Sequence, residues 1–321
     1  MFKNILVTGG AGFIGSNLID KLLSQKYKVI SIDNYDNYYQ KEIKLLNNKV
    51  ADTNPNFIKF DLDIRDKQNL QEVFKSHKVD LVLHLAGKAG VRPSILNPNE
   101  YFDVNVNGTI NLLNIMNEYS VQKIIFASSS SIYGNSSTIP FAEDDIVDAP
   151  ISPYAASKKA AELILHVYHQ LYQMDVICFR FFTVYGPRQR PDLAIFKFFN
   201  CLKTNQPIEI YGDGETGRDY TFIDDITDGI LGGITFIKNK NNFFEIINLG
   251  NNNPVKLNTL IQSIENVTGS CFVKHILPMQ LGDVNLTYAK IDKARVLLNY
   301  NPSVLLETGL DKFKSWYETN H

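Results

Sequence analysis

Cysteine is scarce in this chain. Cys178, Cys201 and Cys271 are scattered, and none has the paired or histidine-linked spacing of a metal site, so the pattern excludes a disulfide framework and a structural zinc. A reducing cytoplasm is the expected setting. No apolar run reaches the ~18 residues that span a bilayer. The start, Phe2-Lys3-Asn4-Ile5-Leu6-Val7-Thr8, lacks the charged and apolar segments of a signal peptide. Neither sign of charge is in excess: 32 Lys and Arg face 34 Asp and Glu. No broad surface for nucleic acid or an anionic membrane is therefore expected, and any anionic ligand must be small. What remains is an ordinary globular composition, 44% apolar and 21% charged. The 321 residues suit one large unit with an appended lobe, or two domains.

The first half alternates β-branched runs with amphipathic stretches, which predicts βαβ units and a doubly wound parallel sheet. Strands are expected at 4–8, 28–32, 57–60, 80–85, 122–128 and 175–180, and helices at 12–25, 66–77, 98–119 and 153–173. Asp66 and Ser152 are placed to cap two of them, with Pro153 in a first turn. After Tyr185 the turn residues thicken through Gly186-Pro187, Arg190-Pro191 and Gly212-Asp213-Gly214. A smaller lobe is expected over 186–223 and 251–321, interleaved with a first domain of 1–185 to which a helix at 224–237 and a strand at 244–249 return.

Strand 4–8 runs into Gly9-Gly10-Ala11-Gly12-Phe13-Ile14-Gly15, a G-x-x-G-x-x-G loop opening a helix. Gly9 permits the turn, Gly12 lets backbone approach a pyrophosphate, and Gly15 allows close packing. The anion would meet the free amides around Phe13 and Ile14 at the helix start. Between a strand and a helix, the pattern predicts the dinucleotide loop of a Rossmann domain. Asp33, 18 positions after Gly15 at the end of the second strand, is placed to bond an adenosine ribose and repel a 2′-phosphate, which favours NAD over NADP. A surface aspartate opening a turn is the plainer alternative.

Two more elements complete a pattern: Ser128-Ser129-Ser130-Ser131-Ile132-Tyr133-Gly134 after the fifth strand, and Tyr154-Ala155-Ala156-Ser157-Lys158 on a helix. With the glycine loop they resemble the extended short-chain dehydrogenase/reductase family, over essentially the whole chain. Tyr154 and Lys158, four apart, share a helix face, where an ammonium lowers a phenol pKa from about 10. The phenolate is then a general base, and Ser129 can donate to the same substrate oxygen. The resemblance implies further that Lys158 bonds the nicotinamide ribose, that Asp63 and Ile64 flank the adenine, and that Leu85-Ala86-Gly87 lines the cofactor groove. Lys88 stands in that loop where relatives often carry a polar uncharged residue.

The lobe carries Tyr211 before Gly212-Asp213-Gly214, and then Arg218-Asp219-Tyr220. In similar sugar-nucleotide enzymes the aromatic stacks on the base and the arginine binds the diphosphate, a role suited to its bidentate fork. A core aromatic and a surface ion pair are the alternatives. Related 4,6-dehydratases place Asp-Glu after the catalytic Ser or Thr. This chain has Ser130 and Ser131, so elimination lacks a carboxyl acid and C4 epimerisation remains.

Three segments resemble UDP-glucuronate 4-epimerases: Ala89-Gly90-Val91-Arg92, Phe181 to Asp192, and Met279-Gln280-Leu281-Gly282-Asp283-Val284. UDP-glucose 4-epimerases usually carry Asn at the place of Thr183 and Arg at that of Gln280, and Leu281 departs from the usual Pro. Arg92, Ser129, Ser130, Thr183, Arg190, Gln280 and Asp283 are thus expected around the sugar nucleotide. Arg190 assisted by Thr183 should hold the carboxylate; Arg188, Arg92 and a merely solvated Arg190 are the alternatives. Rival functions are a 4-epimerase for UDP-glucose or a UDP-N-acetylhexosamine, and a catalytically inactive NAD-binding regulatory protein. The resemblance also implies a homodimer, with helices near 98–118 and 153–172 pairing as a four-helix bundle. No metal is expected.

Overall fold

The computed structural model describes residues 2–136, 138–278 and 284–321; Gln280 and Asp283 lie outside the described residues. Six strands come first: β1 (Asn4–Thr8), β2 (Lys28–Asp33), β3 (Phe57–Asp61), β4 (Leu81–His84), β5 (Lys123–Ser129) and β6 (Asp175–Phe181). Then follow β7 (Thr183–Tyr185), β8 (Ile208–Tyr211), β9 (Gly217–Phe222) and β10 (Phe244–Leu249). Among the described residues β10 joins the first six in a parallel sheet ordered β10-β6-β5-β4-β1-β2-β3. Ile5, Leu6 and Val7 have no exposure, as a parallel strand covered by helices on both faces requires. Edge strand β3 is exposed or half-buried at every position.

The sheet sets every parallel strand's C-terminal end along one rim. From that rim α1 (Phe13–Ser24), α2 (Lys41–Asn47) and α3 (Lys67–Ser76) descend after β1, β2 and β3. Asp66 caps α3 by accepting from the Asn69 amide. Beyond β4 lie α4 (Val91–Leu96) and α5 (Pro98–Phe102), and then α6 (Gly108–Glu118). Residues 98–118 are helical throughout, as expected, but Asp103–Asn107 winds as a π-helix. The wide turn turns buried Asn105 toward Lys88 and Ser157: its Oδ1 accepts from the Lys88 amide, and its Nδ2 donates to Lys88 O and Ser157 Oγ at 3.0 and 2.9 Å. A π turn inserts one residue without disturbing the apolar spacing on either side, so periodicity does not reveal it.

After β5 comes α7 (Pro153–Tyr172), capped by Ser152 accepting from the Ala155 amide, with Pro153 at its start. Arg180 of β6 and Glu162 of α7, each 1% exposed, form a two-bonded pair at 3.0 and 2.9 Å. Ser128 also donates to Glu162, at 2.6 Å. This buried knot is fully hydrogen-bonded and fixes the spacing of β5, α7 and β6.

The chain leaves β6 at Phe181 and enters β7 two residues later, so Thr183 sits at the junction of sheet and lobe. β7 pairs with β9, and β9 with β11 (Pro254–Lys256). β8 pairs with β12 (Lys274–Leu277). Buried Asp219 pins the lobe by accepting from the amides of Asn251, Asn252 and Ala289. Among the described residues no helix is long and apolar enough to cross a membrane.

Candidate active site

The glycine loop lies at the C-terminal end of β1. Gly9 has φ +71°, and a Cβ there would stand 2.7 Å from the Ala86 nitrogen, so this residue lets the loops after β1 and β4 touch. A Cβ on Gly15 would collide with Gly9 O. The first turn of α1 thus approaches the loop closely, and Gly12, Phe13 and Ile14 present its start to a cleft. Free amides and the helix dipole at this point suit a pyrophosphate. The same cleft is lined by Asp33, Asp63 and Ile64 at one end, by Leu85 and Ala86 in the middle, and by Lys158 at the other. A cleft that runs from the ends of β2 and β3 past the glycine loop to α7 fits a dinucleotide.

Asp33 is 9% exposed. Its carboxylate accepts from the Ala11 and Tyr35 amides at 3.0 and 2.8 Å, with Lys44 Nζ 3.9 Å away. Burial pushes its pKa up, opposed by Lys44 and by those amides. Lys44 was not legible as a site residue, since its helix position says nothing of which strand end it meets.

At the far end Ser129, Ser130, Tyr154, Thr183 and Arg190 line the cleft together. Ser129 ends β5 and caps the next turn, its Oγ accepting from the Ser131 amide at 3.1 Å. Tyr154 projects from the first turn of α7 and meets Tyr101 edge to face, ring centres 6.2 Å apart. Burial raises the Tyr154 pKa, while the Ser129 hydroxyl and the charge of Arg190 draw it down. Here the structure differs from expectation. Lys158 donates to Ala127 O at 2.8 Å, burial pulls its pKa down to about 8, and the cation acting on the phenol is Arg190. A four-residue spacing gives a shared face but not the direction in which the lysine reaches.

Arg190 is fixed from two sides. Its Nε and Nη2 donate to the two carboxylate oxygens of Asp192, both at 2.9 Å. Its guanidinium lies over the Tyr38 ring, 5.3 Å from the centroid, and the Tyr38 hydroxyl donates to Asp192 at 3.3 Å. Tyr38 was missed in the sequence because it belongs to the loop after β2, 152 positions before Arg190. The alternative Arg188 turns away, donating to Asp20 of α1 at 2.6 Å.

Arg92, Tyr211 and Arg218 stand outside the lining of this cleft. Arg92 nevertheless meets Tyr211, its guanidinium 4.9 Å from the ring centroid, and Tyr211 donates to Glu209 at 2.7 Å. Arg218 donates to Gly217 O at 2.8 Å. Among the described residues no cluster of His, Cys, Asp and Glu could hold a metal.

Residues 5–250 match the model of the NAD dependent epimerase/dehydratase family. A UDP-glucuronate 4-epimerase of Thermodesulfobacterium geofontis is 42% identical, covering 98% of this chain and 96% of that one. The crystal structure of UDP-glucuronic acid 4-epimerase from Bacillus cereus, in complex with UDP-glucuronic acid and NAD, superposes with a TM-score of 0.93 at 34% identity. It covers 99% of this chain and 100% of its own. UDP-glucose 4-epimerase of Thermotoga maritima, with UDP-glucose, reaches a TM-score of 0.89 at 31% identity over 98% and 99% of the two chains.

Proposed function

The chain belongs to the NAD dependent epimerase/dehydratase family, and from that membership we propose that it interconverts the C4 epimers UDP-glucuronate and UDP-galacturonate through a 4-keto sugar. It is an NAD-dependent UDP-sugar 4-epimerase, as are its relatives by name and structure. The observation that carries the uronate reading is Arg190, whose guanidinium faces the same cleft as Tyr154 and Thr183.

When bound, NAD supplies reversible hydride acceptance at C4. Tyr154 takes the C4 hydroxyl proton and returns it after the sugar has turned, while Ser129 donates to the same oxygen. Lys158 holds the nicotinamide ribose. Ser130 and Ser131 offer hydroxyls rather than a carboxyl acid, so water elimination finds no proton shuttle. Asp33 would accept from the adenosine ribose, Asp63 and Ile64 would flank the adenine, and Leu85 and Ala86 would line the groove between them and Lys158. The glycine loop with the Phe13 and Ile14 amides receives the pyrophosphate. Tyr211 stacks on the base and Arg218 binds the diphosphate, which keeps the nucleotide anchored while the sugar rotates.

Purified protein offered each UDP-sugar should form the C4 epimer of UDP-glucuronate fastest, seen by chromatography. Preferred turnover of UDP-glucose or UDP-N-acetylglucosamine would replace the uronate reading. No turnover of any would favour a regulatory protein, against which the assembled Ser129, Tyr154 and Lys158 argue.

The reading includes a cytoplasmic homodimer that supplies an activated uronic acid for polysaccharide synthesis. All three cysteines are unpaired, which suits a reducing compartment. On α7, Leu163, Val167 and Leu171 repeat every four residues and are 56%, 48% and 66% exposed, an apolar stripe that a second copy would cover. The wild-type chain should sediment as a dimer at micromolar concentration, and Leu163→Glu with Leu171→Glu as a monomer. A wild-type monomer would remove the dimer.

A further inference from the structure

The cleft is crossed by a link that the proposed chemistry does not use. β4, β1 and β2 are neighbours in that order and parallel, so their loops leave one rim with the glycine loop in the middle. Lys88, after β4, reaches Asp36, after β2, with Nζ 3.1 Å from Oδ1. Its ammonium also pairs with Glu100 of α5 at 2.8 Å, and its side chain is only 12% exposed. Both Lys88 and Asp36 line the cleft together with Gly9 and Gly12, and because β1 lies between β4 and β2 the link spans the rim at the loop where the pyrophosphate belongs.

A second tie stands beside the first. Asp36 Oδ1 also accepts from the Tyr38 amide at 2.9 Å, and the Tyr38 hydroxyl donates to Asp192. Gly90, at φ +110°, lies so close that a Cβ would stand 2.9 Å from the Tyr38 hydroxyl. Three loops, after β2, β4 and β7, are thereby closed on one another across the groove.

We propose that Lys88, paired with Asp36 and Glu100 and backed by Tyr38, is a strap over the dinucleotide groove that sets how long the cofactor stays bound. The inference rests on the groove holding a dinucleotide. An epimerase uses its cofactor twice in each cycle, and release after the first transfer strands a keto sugar. Departure requires the strap to open, which separates the partly buried Lys88 and Asp36 and leaves each with fewer partners, so its contribution falls on the dissociation rate.

The test uses the full chain loaded with NADH, whose fluorescence falls as excess NAD displaces it. Lys88→Gln and Asp36→Asn should each speed release about tenfold. The double variant should release no faster than the quicker single one, because both remove one interaction. Lys88→Arg, which keeps the positive charge, should release the cofactor more slowly than Lys88→Gln. Wild-type release rates in both single variants, additive effects, or no rescue by arginine would overturn the strap. Failure of the wild-type chain to bind any dinucleotide would instead overturn the reading of the groove, and the strap with it.

Discussion

Tyr154→Phe should lower kcat by about three orders of magnitude while the protein still binds NAD. The substitution removes one hydroxyl and keeps the ring, so the edge-to-face contact with Tyr101 and the start of α7 survive. Only proton transfer is lost. Burial holds the Tyr154 pKa above the usual phenol value, with the Ser129 hydroxyl and Arg190 opposing, so the reactive phenolate is the form that gains population as pH rises. The wild-type rate should accordingly climb toward the alkaline side, and the residual rate of the phenylalanine variant should lack that limb. Turnover of C4 epimers against pH, with bound dinucleotide measured in the same samples, checks both statements. Full turnover in the variant would remove Tyr154 as the base; loss of the dinucleotide or of folding would assign it a structural role.

Arg190→Ala should raise KM for UDP-glucuronate by about 30-fold or more, and for UDP-glucose by far less. A uronate carries a second anionic end into the cleft, and burying that charge without a partner is costly. Arg190 presents a guanidinium already oriented by Asp192 and by the Tyr38 ring, so little side-chain entropy is lost when a carboxylate arrives. The same residue acts on chemistry in two ways. Its charge lowers the Tyr154 pKa, so the alkaline limb of the variant should move to higher pH. Oxidation at C4 also makes a β-keto acid, which loses CO₂ when the carboxylate bond aligns with the carbonyl π system. A held carboxylate resists that rotation, so the variant should release some decarboxylated UDP-pentose. Equal KM changes for the charged and neutral sugars, with no pentose, would show that Arg190 does not read the carboxylate.

Some of this was written in local sequence. The turn at Gly9, the caps Asp66 and Ser152, and the shared face of Tyr154 and Lys158 depend on φ preferences and helical period within a few residues, and they stand where those rules put them. Alternating apolar patterns likewise sufficed for the parallel sheet and for the return of strand 244–249 to it. Tertiary structure alone decided who meets whom across the rim. Asp33 meets Lys44, Tyr38 meets Asp192 across 154 positions, and Lys88 meets Asp36 across 52. Arg190, rather than Lys158, lends its charge to the phenol. The contacts that span many positions exist because the order β6-β5-β4-β1-β2 brings loops distant in sequence to one edge. Long polar side chains then choose partners by reach and desolvation, which no residue spacing encodes.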